Sequence, residues 1–329
     1  MGWWIGFNLF VLALLAFDLG ILHRKERDIK LGEALWLSLA YIVLALAFGA
    51  ILFWLRGKQD GFDFLTGYLI EKSLSIDNIF VIVLLFTYFS VPTQFQHRVL
   101  FWGILGALIM RGVLIFAGVQ LIQRFAWMAV LFGVFLVVTG IKMLVVAHQR
   151  PNLDDNIVLR AFRRRFRVTE GYHGKHFFIR RDGLLFATPL FLVLMMVEFT
   201  DLVFAVDSIP AIIAITTDPF IVYTSNVFAI LGLRALYFAL AGIVPRFVYL
   251  KYGLSLVLVV IGFKMIANYL YGGKFVPTEL ALLITSVLVG GSIALSLLRT
   301  RGASPAPPTG WVPGSPARTA TEEKRSGSE

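Results

Sequence analysis

Six charged residues recur in two strongly apolar stretches of this chain at nearly the same spacing. The first stretch carries Asp77, Arg111 and Lys142, set in Asp77-Asn78-Ile79-Phe80 and Gly140-Ile141-Lys142-Met143. The second carries Asp201, Arg234 and Lys264, set in Asp201-Leu202-Val203-Phe204 and Gly262-Phe263-Lys264-Met265. The Asp-to-Arg intervals are 34 and 33 residues and the Arg-to-Lys intervals 31 and 30. A charge in hydrocarbon costs several kcal/mol and is kept mainly where it meets a partner, water or an ion path. Three charged positions holding register to within one residue argue against chance likeness in low-diversity apolar sequence. A duplicated set of intramembrane charges is the pattern of a transporter core.

More polar residues surround each aspartate. On a helix, Glu71, Ser75 and Asn78 line one face, with Asp77 about 120° round from Glu71. In the second stretch Glu198 and Asp201 are neighbours at i, i+3. Asp207 points away from Glu198 on an unbroken helix. Pro210, three residues on, removes a backbone hydrogen bond, and unwinding there would free carbonyl oxygens and turn Asp207 inward. The intramembrane acids Glu71, Asp77, Glu198, Asp201 and Asp207 balance Lys72, Arg111, Lys142, Arg234 and Lys264. A structural ion-pair network that only sets helix register is the bland reading of that balance. Lys142 and Lys264, near segment ends, also have the option of snorkelling to the interface.

The donor set selects a ligand class. Carboxylates, Asn78, Asn226, hydroxyls and carbonyls are hard oxygen ligands suited to Mg²⁺, Ca²⁺ or Mn²⁺. The five histidines, at 23, 97, 148, 173 and 176, fall at helix ends or in a loop, and there are no cysteines. A Zn²⁺ or Cu²⁺ path built on imidazole or thiolate is therefore disfavoured, and disulfides and redox dithiols are excluded. Asp18 reads as an interfacial residue, and Asn226 as either an amide ligand or an interhelical hydrogen bonder. No nucleophile–base set, phosphate loop or nucleotide motif is present, so catalysis is not expected and no bound cofactor is implied.

The elements that position these residues are membrane helices. Hydrophobic residues make up 58% of the 329 and charged residues 15%, with mean hydropathy +0.80. Soluble domains average about 45–50% and about 25%. Nine spanning segments are expected, at 3–22, 33–55, 65–89, 98–121, 126–147, 184–213, 221–244, 252–271 and 278–298, each near the ~20 residues a bilayer requires. The start, Met1-Gly2-Trp3-Trp4, has no Lys or Arg ahead of its apolar run, which argues against a cleaved signal peptide.

With the N-terminus outside, twenty-one Lys and Arg residues fall on the inner side and four on the outer. That asymmetry predicts a multi-pass cell-membrane protein with a cytoplasmic C-terminus. The net charge of +10 thus reads as orientation against an anionic inner leaflet rather than as nucleic-acid binding. Trp3, Trp4, Trp36, Trp54, Trp102 and Trp127 fall near segment ends, as an aromatic belt would place them.

Segments three to five and six to eight form the repeat. Three spans is an odd number, so the second copy enters from the opposite side and the halves are inverted. The expected organisation is peripheral helices one and two in 1–64, the first half in 65–147, and a basic cytoplasmic loop in 148–183. The second half follows in 184–271, the ninth helix in 272–298 and a disordered tail in 299–329. Within the loop, Leu159, Phe162 and Phe166 share a face ringed by arginines. They read either as an interfacial helix on anionic lipid or as a solvated linker.

The run Glu71-Lys72-Ser73-Leu74-Ser75-Ile76-Asp77-Asn78-Ile79-Phe80 resembles the TerC/Alx family of integral membrane proteins. So does Glu198-Phe199-Thr200-Asp201-Leu202-Val203-Phe204-Ala205-Val206-Asp207-Ser208-Ile209-Pro210, and so do Thr224-Ser225-Asn226 and Ile230-Leu231-Gly232-Leu233-Arg234-Ala235-Leu236-Tyr237. The resemblance covers roughly residues 1–298. It implies a place among LysE-like transporters and an association with Mn²⁺ export, tellurium-resistance operons and, in some members, metal supply to exported enzymes. It also implies that Glu71, Asp77, Asn78, Glu198, Asp201 and Asp207 correspond to the family's acidic core. The expected substrate is a divalent cation, Mn²⁺ first. In that reading Asp77 and Asp201 bind it, Glu71, Glu198, Asp207 and Asn78 complete or relay the site, and Arg111, Arg234, Lys142 and Lys264 balance charge. An oxyanion carrier built on the arginines and a non-transporting scaffold for a partner protein are the alternatives.

Overall fold

A computed structural model describes residues 2–20, 31–145, 159–160, 162, 165, 167–169, 171–181, 184–240, 247–272 and 277–299. The chain is a polytopic all-α membrane protein. In hydrocarbon every backbone donor and acceptor needs a partner within the segment, so the long apolar runs fold as helices. In order these are α1 (Gly2–Gly20), α2 (Leu31–Leu55), α3 (Lys58–Tyr88), α4 (Thr93–Arg124) and α5 (Met128–Val145). A short hairpin, β1 (Phe178–Arg181) and β2 (Leu184–Ala187), precedes α6 (Pro189–Ile213). Then come α7 (Pro219–Leu231), α8 (Leu233–Leu240), α9 (Leu250–Leu270) and α10 (Thr278–Arg299). Among the described residues, seven spans are long and apolar enough to cross a bilayer: α2, α4, α5, α6, the α7–α8 pair, α9 and α10. The apolar helix Gly2–Ala16 is shorter. Helix α3 is long, at 31 residues, but carries Glu71, Lys72 and Asp77 in its middle.

Helix α3 lies at the centre, packed against α2, α6, α7 and α10, while α4 packs on α6 and α7. The α7–α8 segment is almost wholly buried. Helices α2 and α5 instead show many large apolar side chains at the surface, where lipid would cover them. Trp3, Trp4, Trp36, Trp54, Trp102 and Trp127 are all exposed. At one end of the bundle the Arg56 guanidinium ties Asp60 at 2.9 Å and Asp218 at 2.6 Å. Asp218 also caps α7 by accepting from the Phe220 and Ile221 amides.

One open question about helix continuity closes and one expectation changes. Helix α6 runs unbroken through Pro210, although proline offers the Val206 carbonyl no amide donor; neighbouring helices make such a residue tolerable in a membrane span. The interruption falls instead in segment seven, at Gly232, which separates α7 from α8. Gly232 is close to two neighbours: a Cβ there would lie 2.9 Å from Lys72 Nζ and 3.2 Å from Tyr41 Cβ.

The sixth segment also begins later than expected, because 184–187 is a strand and not a helix. Strand β1 pairs antiparallel with β2, Phe178 opposite Ala187 and Arg181 opposite Leu184. Asp182-Gly183 between them is a two-residue hairpin signature. Ahead of the hairpin, Tyr172 donates to the Phe89 carbonyl at 2.7 Å. Burial pushes that hydroxyl up to about 12, so it stays protonated and donating. Half of the amphipathic segment 158–167 lies outside the described residues. Leu159, expected on its apolar face, is buried in a core with Ile79, Leu85 and Leu190 rather than presented to lipid. The tail beyond 299 lies outside the described residues.

Helices α5 and α9 form the most extensive helix pair, and glycines let their backbones meet. A Cβ on Gly133 would lie 2.9 Å from the Gly262 carbonyl, and one on Gly140 would lie 2.7 Å from the Ser255 carbonyl. Gly133 faces Gly262 while Gly140 faces Ser255, so the helices are antiparallel. The pairs are also reciprocal. Gly140 and Gly262 hold matching repeat positions, and so do Gly133 and Ser255, each seven residues earlier. A two-fold relation generates pairs of this form.

Adding one methyl at this crossing forces backbone apart. Gly262→Ala is expected to destabilise by about 1–3 kcal/mol, read as a lower melting temperature of the detergent-solubilised protein. Gly290→Ala, whose Cβ would meet open space, is expected to be neutral or slightly stabilising.

Candidate functional site

Arg111, on α4, organises the site. It is 2% exposed and reaches carboxylates from both halves of the chain. Its Nε donates to Asp201 Oδ2 at 3.1 Å and its Nη2 to Asp201 Oδ1 at 2.7 Å, a bidentate grip. Its Nη1 donates to Glu71 Oε1 and, at 2.8 Å, to Asn226 Oδ1. Asn78 Nδ2 lies 3.5 Å from Asp201 Oδ1, at the limit of a hydrogen bond. Four helices thus converge: α3 supplies Glu71 and Asn78, α4 Arg111, α6 Asp201 and α7 Asn226.

Small residues allow that convergence. A Cβ on Gly67 of α3 would come within 2.9 Å of Ser225 Oγ on α7, so the two helices touch one turn before Glu71. A Cβ on Gly106 of α4 would occupy the place of the Glu198 carboxylate. Glu198 therefore seats in a notch in α4, one turn from Asp201. Val197 lies against Gly103 of the same helix.

Charge and satisfaction define what the centre can do. Two carboxylates, Glu71 and Asp201, share one guanidinium, so the ionised cluster keeps a negative charge even with Arg111 in place. Glu71 Oε2 and Asn78 Oδ1 are buried and have no hydrogen-bond partner. Unfilled buried acceptors are uncommon and point to a donor, water or cation at that spot. A cavity of about 30 Å³ borders Asn78 and Asp201, and Ile82, Ala107, Thr200 and Phe204 are among the other residues that line it. That is room for one or two waters or a largely dehydrated ion. A far larger cavity, about 760 Å³, lies among α1, α2 and α7, but apolar and aromatic side chains line it. It offers no ligand set for an ion.

The remaining expected residues separate into three groups. Asp207 faces Thr139 and Lys142 of α5 rather than the Arg111 cluster, because α6 stays helical past it. Lys142 is itself surface-exposed, in keeping with a snorkelling side chain. Arg234 and Lys264 are buried, and each has an interaction of its own. Asp77 lies within α3, one residue before Asn78, and its side chain is outside those described. Among the described residues no three Asp, Glu, His or Cys side chains come together as a metal cage. Arg111 stands between Glu71 and Asp201, and Asp207 turns away.

Sequence reasoning placed Lys72 among the charges but missed its contact. Its Nζ donates to the Ala229 carbonyl at 3.3 Å, in the last turn of α7 before the Gly232 interruption. A cation there complements the partial negative charge of a helix C-terminus. The signal available in sequence was Gly232 between two leucines in an otherwise continuous apolar run.

Fold and site together define a polytopic membrane protein with a buried, ion-paired polar centre. The integral membrane protein TerC family matches residues 56–304, and the chain belongs to that family. It is 50% identical over 303 residues to an uncharacterized membrane protein of Myxococcus xanthus, covering 92% of this chain and 94% of that one. It is 48% identical over 272 residues to the putative membrane-bound redox modulator Alx of Escherichia coli K12, covering 80% and 85%. It is 43% identical over 296 residues to an uncharacterized membrane protein of Rickettsia felis, covering 90% and 97%. No solved structure matches it.

The Arg111 cluster generates a stability test. Arg111→Met alone leaves buried carboxylates unpaired and is expected to destabilise by about 3–5 kcal/mol. Adding Glu71→Gln and Asp201→Asn to it is expected to recover most of that loss, measured by thermal unfolding of the purified variants.

Proposed function

We propose that the chain carries a divalent metal cation across the cell membrane, with Mn²⁺ the foremost substrate and export the direction. One observation carries the reading: a buried arginine held between carboxylates from two halves of the chain, beside two buried acceptors that no protein donor reaches. Buried carboxylates need a counter-charge. Arg111 supplies it when no substrate is bound, and an arriving divalent ion supplies it instead. Glu71 and Asp201 together match the two charges of such an ion, and Asn78 and Glu198 add hard oxygen atoms.

In this reading Asp77 and Asp201 form the core of the site, and Asp207, facing Lys142 and Thr139, serves as a relay rather than a direct ligand. Arg234, Lys142 and Lys264 balance charge. Two inverted copies would build the site, a view that the reciprocal contacts of α5 with α9 support. Carboxylates that exchange a proton for the ion would make the carrier an antiporter. The basic loops would lie in the cytoplasm.

An oxyanion carrier fits less well, because the Nε and both terminal nitrogens of Arg111 are already engaged by the protein's own oxygens. Some relatives are called redox modulators. This chain has no cysteine, so thiol–disulfide exchange is not open to it.

Mn²⁺ uptake into inverted membrane vesicles tests the proposal. Wild type is expected to accumulate Mn²⁺, and Asp77→Asn and Asp201→Asn are each expected to lower the rate by at least about tenfold, the equivalent of ~1.4 kcal/mol. Wild-type rates in both variants would remove these residues from the site. No uptake by wild type above empty vesicles would remove the transport reading itself.

A further inference from the structure

The β1–β2 hairpin is absorbed neither by the transport site nor by the helix bundle. Chain continuity places it: Ala187 ends β2 and Pro189 begins α6, a membrane span. The hairpin must therefore stand at the bilayer surface. It is also fixed there. The Phe178 and Phe191 rings lie 4.4 Å apart, tying the hairpin to the first turn of α6. Thr188 Oγ donates to the His176 carbonyl at 2.8 Å. The Arg98 guanidinium, from α4, sits 5.0 Å over the Phe177 ring. The Ala187 amide donates to the Arg167 carbonyl at 2.9 Å.

What this fixed element presents is amphipathic. Leu184 and Leu185 are 49% and 60% exposed, and Arg180 and Arg181 beside them are exposed too. Register puts Arg180 opposite Leu185 and Arg181 opposite Leu184. Cross-strand partners share a face, so each face of the hairpin tip carries one leucine and one arginine. Both faces of the hairpin tip are therefore equipped to meet an interface. Leucines would reach the acyl boundary while arginines stay among phosphates. Lys175 adds a further exposed cation near the strands, against the single acid Asp182 in the turn sequence. Guanidinium groups match phosphate oxygens bidentately.

We propose that the β1–β2 hairpin is a membrane-surface anchor that binds the headgroup phosphates of anionic phospholipids, with Leu184 and Leu185 seated at the acyl boundary and Arg180 and Arg181 on the phosphates. The proposal is independent of which substrate crosses the membrane. It places a lipid contact on a different element from 158–167, for which an interfacial helix was one of two readings.

The absence of native cysteines makes the test direct. Leu185→Cys, labelled with an environment-sensitive fluorophore, is placed in the full chain and reconstituted into nanodiscs. The discs contain phosphatidylcholine with or without phosphatidylglycerol, plus a headgroup-level nitroxide lipid. Blue-shifted emission and nitroxide quenching are expected, strongest with phosphatidylglycerol. Arg180→Gln and Arg181→Gln are each expected to weaken the preference for the anionic discs about fivefold, the equivalent of one basic residue's attraction to an anionic surface. Equal quenching in both disc types would overturn the anionic selectivity. Water-like emission in every disc would overturn the membrane contact. A blue shift in detergent that the nitroxide never quenches would assign the tip to a protein contact instead. Should the Leu185→Cys protein not be monodisperse, Leu184→Cys reports on the same tip from the other face.

Discussion

The fold depends on how a membrane interior treats an uncompensated charge. Arg111 and the carboxylates of Glu71 and Asp201 are each costly to bury alone, and together they hold four helices at one point. The bidentate grip on Asp201 sets the rotation of α6 against α4, while the contacts to Glu71 and Asn226 bring α3 and α7 to the same place. Because the arginine bridges residues distant in sequence, the centre can form only when the two halves are packed together. The same neutralisation that stabilises the fold is what an incoming cation would have to replace. Structural and transport roles are therefore two readings of one interaction.

Small residues give that interaction its room. Helices in lipid gain little from apolar burial against each other, so close backbone approach and interhelical polar contacts do more of the joining. Gly133, Gly140 and Gly262 bring α5 and α9 into backbone contact, and Gly67 lets the Ser225 side chain of α7 close on α3. At Gly106 the missing side chain is replaced by the carboxylate of Glu198, so a steric gap becomes part of the polar centre. At Gly232 an interrupted helix meets Lys72, which donates to a carbonyl near the break. Each such position removes bulk where a charge or a backbone must come near.

Much of this was legible in the residues. The apolar runs marked the spans, and of the six charges repeated at matching intervals Arg111 and Asp201 meet in the polar centre. Glu71, Asn78, Arg111 and Asp201 are indeed brought together, with Asn226 as an interhelical hydrogen-bond acceptor, one of the two roles open to it. Other features were not legible, for identifiable reasons. Whether Pro210 breaks α6 stayed open, because local rules register the lost hydrogen bond but not the neighbouring helices that hold a membrane helix through it. Gly232 looked unremarkable because an interior glycine is only mildly unfavourable in a helix. The hairpin was hidden because Leu184-Leu185-Phe186-Ala187 is as apolar as the helix that follows it, and periodicity cannot separate a short apolar strand from a helix start.

Sequence by itself determined the class of the protein, the approximate course of most of its helices and that acids and bases set in apolar runs had to be accommodated together. Those follow from composition and from the energy of charge in hydrocarbon, which hold whatever the packing. Only the tertiary structure decided who neutralises whom: Arg111 takes Asp201 and Glu71 together, Asp207 turns to α5, and Lys72 reaches the end of α7. Partner choice depends on helix rotation and on distances between segments far apart in the chain. Helical periodicity gives a face but not the neighbour that it meets.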